Sequence, residues 1–235
     1  MLPPPVATIK WINRMVRDGI FYLIGFGLGG ALVSWLLGPT VALPLFAVAL
    51  FCAWFFRDPE RLLPVGPVAL SPADGRVVSV VKEDTCQTRI SIFLNIFDVH
   101  VNRSPISGII TDITYQPGKF LVASREAASG LNEQNIFTIR AADGTKVVFK
   151  QIAGLIARRI VCTKHVGDFV QAGERVGMIK FGSRVDVIFG PEWRIEVAPG
   201  ARVQAGSSVL ARRADGVIIT PALAATIEEP ALCQT

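Results

Sequence analysis

Hydrophobic and polar positions divide this chain near residue 56. From Gly19 to Phe56 no residue carries a charge, and Gly38, Pro39 and Pro44 interrupt the apolar run. The pattern predicts two apolar helices, at about 19–37 and 41–56. At 1.5 Å per residue they reach roughly 28 Å and 24 Å, against a bilayer hydrocarbon core of about 30 Å. Lys10, Arg14 and Arg17 precede the run, and Arg57 and Arg61 follow it. Basic flanks on both sides favour a helical hairpin with both ends on the cytoplasmic side of the cell membrane, with Trp35 and Trp54 as interfacial anchors. A cleaved signal peptide fits poorly, because a second apolar stretch follows the first at once. A buried helical pair in a soluble core and a re-entrant hairpin stay open as alternatives.

After Pro59 the period changes. Short alternating or apolar runs bounded by turn residues predict strands at Arg76–Lys82, Thr88–Phe93, Ile109–Tyr115, Asn135–Arg140, Lys146–Gln151 and Ile160–Thr163. Asp74-Gly75 and Asp143-Gly144 are turn candidates. Residues 120–129 read as a short helix or a loop. The expected domains are a membrane-anchoring hairpin over 1–56 and a β-rich domain over 57–235.

Residues 166–176 echo residues 198–209, each reading as turn, short strand, Ala-Gly turn, strand. The unit resembles those of biotinyl and lipoyl carrier domains, although the lysine such carriers modify has no convincing counterpart. The expected fold class is mainly β, a sandwich or flattened barrel with carrier-like hammerhead repeats, built from two related halves.

Composition narrows the function classes. With 51% hydrophobic and 18% charged residues the chain is not intrinsically disordered. Lys+Arg 24 against Asp+Glu 19 leaves a net charge of +5, too small an excess to mark a nucleic-acid binder. Cys52, Cys86, Cys162 and Cys233 form no CxxC pair and there are two histidines, which argues against a disulfide framework or a structural zinc site.

Candidate chemistry is confined to a few places. His100 follows an apolar strand and has polar neighbours, a setting suited to proton transfer. Asp74 reads either as a turn residue or as a functional carboxylate. Gly182-Ser183 lies between two apolar strands, where a Gly-Ser step is usually a bend. A serine hydroxyl beside a flexible glycine carbonyl can also attack that carbonyl when the backbone is strained and a base is near. Gly206-Ser207 is the rival bond, although its glycine already belongs to the Ala-Gly repeat.

Taken in order, Phe56-Arg57-Asp58-Pro59, Pro72-Ala73-Asp74-Gly75, Asp98–Pro105, Pro117-Gly118-Lys119-Phe120, Asn132-Glu133 and Lys180-Phe181-Gly182-Ser183 resemble the phosphatidylserine decarboxylases, in their short membrane-anchored bacterial form. The resemblance implies a proenzyme that cuts itself at Gly182-Ser183 into a β chain, 1–182, and an α chain, 183–235. Ser183 becomes a covalent pyruvoyl group, the cofactor, which forms a Schiff base with the headgroup of phosphatidylserine. Loss of CO₂ then gives phosphatidylethanolamine. His100 matches the histidine of decarboxylation and Asp74 the aspartate of self-cleavage. The position that holds a second histidine in longer relatives is Arg103, too weak a base for that role. His100 covering both jobs, Asp74 acting through water, or another group are the choices left. Arg103 itself is a candidate oxyanion or lipid-phosphate contact, or a structural ion pair. The resemblance also implies a bilayer substrate and self-association into a homo-oligomer. A membrane-anchored carrier-like adaptor without catalysis, and a decarboxylase of another serine-headed lipid, are the rival functions.

Overall fold

The computed structural model describes residues 15–83, 86–155, 159–180 and 182–213. Lys10, Arg14, Phe181, Cys233 and the expected tail at 221–235 lie outside them. The chain divides into two compact units, with the boundary between Glu60 and Arg61.

In the first unit, α1 (Arg17–Leu37) and α2 (Pro39–Phe55) form an antiparallel hairpin. Gly38 alone links them, at φ +96°, a conformation that glycine adopts cheaply. Pro39 opens α2 instead of breaking it, because the first helical position has no amide bond to lose. Pro44 lies inside α2, contrary to the interruption expected there. The bond it removes would end on Thr40, in the first turn, where the loss is small. Phe46 packs against Gly30 and Phe56 against Gly19, so the helices meet where α1 has no side chain. The Val16 amide donates to the Phe56 carbonyl (3.0 Å), which brings the two ends of the hairpin together. Phe21, Leu28 and Trp35 are exposed on α1, which is long and apolar enough to cross a membrane.

Among its described residues the second unit has one helix, α3 (Ala128–Leu131), and is otherwise built of strands and their connections. Its strands in chain order are β1 (Val68–Leu70), β2 (Gly75–Lys82), β3 (Thr88–Leu94), β4 (Val101–Arg103), β5 (Gly108–Gln116), β6 (Gln134–Arg140) and β7 (Lys146–Ile152). Then come β8 (Ile160–Cys162), β9 (Phe169–Val170), β10 (Arg175–Ile179), β11 (Ser183–Phe189), β12 (Trp193–Ile195), β13 (Arg202–Val203) and β14 (Val209–Arg213). The six strands expected from alternation all form, each within a residue of its expected ends. An eight-stranded antiparallel sheet, ordered β13-β2-β3-β11-β7-β6-β5-β9, curls into a half-barrel. Two three-stranded sheets, β1-β14-β12 and β4-β10-β8, complete the unit. The core holds Ile90, Ile92, Val185, Val187, Phe137 and Phe149, the last two stacked at 4.7 Å in paired register. Each such side chain stabilises the fold by about 1.5–3 kcal/mol. Cys52 and Cys162 are free, whereas Cys86 is disulfide-bonded, contrary to expectation.

The sheet orders are symmetric. β1, β2, β3, β11, β12, β13 and β14 correspond in turn to β4, β5, β6, β7, β8, β9 and β10. The local geometry repeats as well. A bulge follows Val77 in β2 and Ile110 in β5. The Ser71 hydroxyl donates to the Ala73 carbonyl and the Ser104 hydroxyl to the Ile106 carbonyl, each at 2.7 Å. Gly167 and Gly200 have φ +94° and +93°, and Gly173 and Gly206 have +79° and +77°. The echo seen in sequence is therefore one part of a two-fold relation that covers the β unit. β9 and β13, the first strands of the echoed segments, close opposite edges of the large sheet.

Candidate active site

β11 lies at the centre of the large sheet, between β3 and β7, and Ser183 is its first residue, paired with Leu94. Side chains alternate along a strand, so Ser183 shares the core face with Val185 and Val187. It is fully buried, and among the described residues its Oγ has no hydrogen-bond partner. Buried hydroxyls are nearly always paired, so an orphan at this place calls for a chemical reason. Gly182 has φ +60°, in the left-handed region.

The Gly182 amide donates to His100 Nε2 at 3.3 Å. His100 is fully buried, and its Nδ1 lies 2.9 Å from the Asp98 carbonyl. A carbonyl can only accept, so Nδ1 carries the proton and Nε2 keeps its lone pair, facing the Gly-Ser step. The preceding loop is held from both sides, since the Asp98 carboxylate accepts from the Asn95 amide (2.8 Å) and from Arg202 (3.2 Å).

The carbonyl of Gly182 faces Gly154. A Cβ on Gly154 would stand 2.0 Å from that oxygen, so any other residue there displaces it. Asn132 fixes the surrounding chain. Its Nδ2 donates to the Leu121 (2.9 Å) and Ala153 (2.7 Å) carbonyls, and its Oδ1 accepts from the Leu121 amide (2.9 Å). Asn132-Glu133 and Pro117–Phe120 were legible as motifs; Gly154 carried no signal, because its contact is wholly tertiary.

Asp74 precedes β2, whose Arg76 pairs with Phe93, so it stands at the same end of the sheet two strands from β11. Its carboxylate accepts from Arg61 Nη2 (2.9 and 2.7 Å) and from the Ala205 amide (2.8 Å). Burial outweighs these partners and holds the carboxyl above its ordinary pKa. Arg103 donates from Nη1 to the Gly173 carbonyl (3.0 Å), and its Cδ lies against Gly206. It braces the two Ala-Gly turns. Gly206-Ser207 sits in the second of them, with the Gly206 amide donating to the Ser71 carbonyl. The structure thus brings His100 to Gly182-Ser183 and sets Asp74 and Arg103 on the repeat turns.

A buried nucleophile with no partner among the described residues, beside a base and a glycine carbonyl, suits rearrangement of the backbone at that bond. The family model for phosphatidylserine decarboxylase matches residues 48–211. The phosphatidylserine decarboxylase proenzyme of Solibacter usitatus is 62% identical over 202 residues, covering 86% of this chain and 98% of its own. Proteins of the same name from Syntrophus aciditrophicus (46% identical; 86% and 99% covered) and Saccharopolyspora erythraea (45%; 91% and 85%) are also similar. The matches take in both halves of the β unit, and on them the chain belongs to the phosphatidylserine decarboxylase family.

Proposed function

We propose that this chain is a self-processing, pyruvoyl-dependent enzyme that converts phosphatidylserine to phosphatidylethanolamine and CO₂. The observation that carries the reading is the Ser183 Oγ, without a partner among the described residues, beside Gly182, whose amide donates to the unprotonated His100 Nε2. Oγ attacks the Gly182 carbonyl carbon. His100 takes the hydroxyl proton and returns it to the Ser183 nitrogen as the C–N bond breaks, leaving an ester. Removal of the Ser183 Cα proton expels the Gly182 carboxylate and leaves dehydroalanine. Water then hydrolyses its imine form to a ketone and releases ammonia. The β chain is 1–182 and the α chain 183–235.

A pyruvoyl group formed from Ser183 would supply a ketone able to condense with the headgroup amine and to take up the electron pair released with CO₂. His100, which accepts from the Gly182 amide, would deliver the proton that replaces the carboxylate. Of the three choices left by Arg103, the geometry favours His100 in both jobs. Asp74 is engaged by Arg61 and the Ala205 amide and supports the fold of the site.

We read the apolar hairpin as an anchor at the cytoplasmic face of the cell membrane, where a diacyl substrate presents its headgroup. The basic residues Arg17 and Arg57, next to its ends, suit an anionic surface. Intact mass of the wild-type chain beside Ser183→Ala tests the reading. A C-terminal fragment starting at 183, reactive with carbonyl reagents, is expected from the wild type alone; a fragment starting at 207 contradicts it.

A further inference from the structure

Besides Ser183, the buried Asn102 has an atom, Nδ2, with no partner among the described residues. Asn102 follows His100 by two positions, so strand alternation puts both on one face of the β4 segment. Asn102 Oδ1 accepts from Gln151 Nε2 at 2.8 Å, and Gln151 Oε1 accepts from Asn135 Nδ2 at 3.4 Å. Gln151 is in register with Val185, two residues beyond Ser183 and on the same face. The three amides therefore run in one direction, each donating to the next, and end on an Asn102 amino group with both hydrogens unused. His100, two positions before Asn102, accepts from the Gly182 amide, so this end of the amide chain belongs to the segment that reaches the Gly-Ser step.

The other half of the β unit supplies an internal control. By the strand register, Ala69 corresponds to Asn102 and Phe189 to Gln151, and both are core residues. The fold is thus built with apolar side chains at these places. Only at the Ser183 end are they replaced by amides, one of which is left unsatisfied. An uncompensated buried donor is costly, and architecture gives no return on it here.

We infer that Asn102 Nδ2 holds the carboxylate of the serine headgroup, with Gln151 and Asn135 fixing the direction of the donor. This rests on the function proposed above. A neutral donor suits the task. The carboxylate loses its charge as CO₂ departs, so a cation in this place would stabilise the bound lipid more than the transition state and slow the reaction. One directional hydrogen bond still sets the torsion about the bond to be broken, holding it across the plane of the electron-accepting group.

The test uses the full-length protein with Asn102→Asp and Asn102→Ala, and two lipids in detergent micelles. Phosphatidylserine has the amine and the carboxylate; phosphatidylethanolamine has the amine alone. Cyanoborohydride trapping, read by intact mass of the C-terminal fragment, counts the covalent adduct with each. Both variants are expected to be cut as the wild type is. Asn102→Asp should trap phosphatidylserine at least tenfold less than the wild type, through like-charge repulsion, and phosphatidylethanolamine within twofold of it. Asn102→Ala should shift the same ratio by a few-fold, and Gln151→Met by less. Equal losses for the two lipids, no loss for either, or a variant left uncut would each overturn the inference. A wild-type chain that is neither cut nor trapped would instead overturn the function beneath it.

Discussion

Two Gly-hydroxyl steps occupy equivalent places in this fold, and they meet different surroundings. Leu94 pairs with Ser183 at one end of the large sheet, and Ala141 bonds to Thr145 at the other, so Gly144-Thr145 is the counterpart of Gly182-Ser183. Both glycines have positive φ, at +86° and +60°. The neighbours differ. The Gly144 amide donates to the Ala141 carbonyl within a hairpin, whereas that of Gly182 donates to His100. The Thr145 hydroxyl accepts from Arg213 (2.6 Å), whereas Ser183 Oγ has no partner among the described residues. Arg213 donates its amide to the Pro67 carbonyl as Ile179 donates to that of His100, so an apolar residue stands where the other half has an arginine. Positive φ is therefore not enough. On the function proposed above, a hydroxyl becomes a nucleophile where its half of the fold withdraws the hydrogen bond and supplies a base.

The largest effect should separate the two steps outright. Ser183→Ala is expected to stay uncut and inactive, while Thr145→Ala is cut like the wild type and loses about 1 kcal/mol of stability with its Arg213 bond. Intact mass and thermal melting read both, and a cut Ser183→Ala chain breaks the comparison. His100→Gln keeps a side chain of similar reach and removes the base. Self-cleavage, followed by mass over time, should slow by about 10²-fold or more.

Gly154→Ala probes the carbonyl side. The added Cβ displaces the Gly182 oxygen, so cleavage should slow by roughly tenfold and stability fall by about 1–3 kcal/mol. Asp74→Ser borrows the solution of the other half, where the Ser107 hydroxyl accepts from the Ala172 amide as Asp74 accepts from that of Ala205. If Asp74 supports the fold and transfers no proton, the variant is cut within about tenfold of the wild-type rate and melts earlier; an uncut chain makes it part of the proton path.

The smallest effect is a pH response at the Thr145 end. Burial raises the Asp143 carboxyl, but hydrogen bonds from Thr145 and the nearby Arg213 outweigh it and hold the pKa below its ordinary value. A depressed carboxylate adds stability that is complete above the unfolded pKa, about 3.9, and is lost as pH falls through the folded one. Amide exchange at Thr145, whose N–H donates to Asp143, should quicken across that window, and no change would remove the role given to this carboxylate.

Much of the fold was legible because local rules govern it. A long stretch without charge specified the hairpin, and alternation placed six strands. β1 and β4, of three residues each, are too short to show a period, so the two three-stranded sheets did not appear. The two-fold relation surfaced only where turns repeat, at 166–176 and 198–209. A second trace is fainter: Ser71-Pro72 followed by Gly75 matches Ser104-Pro105 followed by Gly108. At the site, Ser183, His100 and Asp74 were found through ordered motifs. Gly154 and Asn102 were not, since one acts by lacking a side chain against a distant carbonyl and the other through an amide chain across three strands.

The position of β11 has a consequence for the life of the molecule. The segment after the proposed cut contributes the central strand of the large sheet, an edge strand in β13 and the middle of a three-stranded sheet in β14. The two products are interleaved and cannot part without melting the core. Before scission the polypeptide renatures as a single body. After the proposed cut the same core must be rebuilt from two segments, each of which holds strand neighbours of the other. On the function proposed above, folding comes before scission, and the product keeps a core that it did not assemble from two pieces.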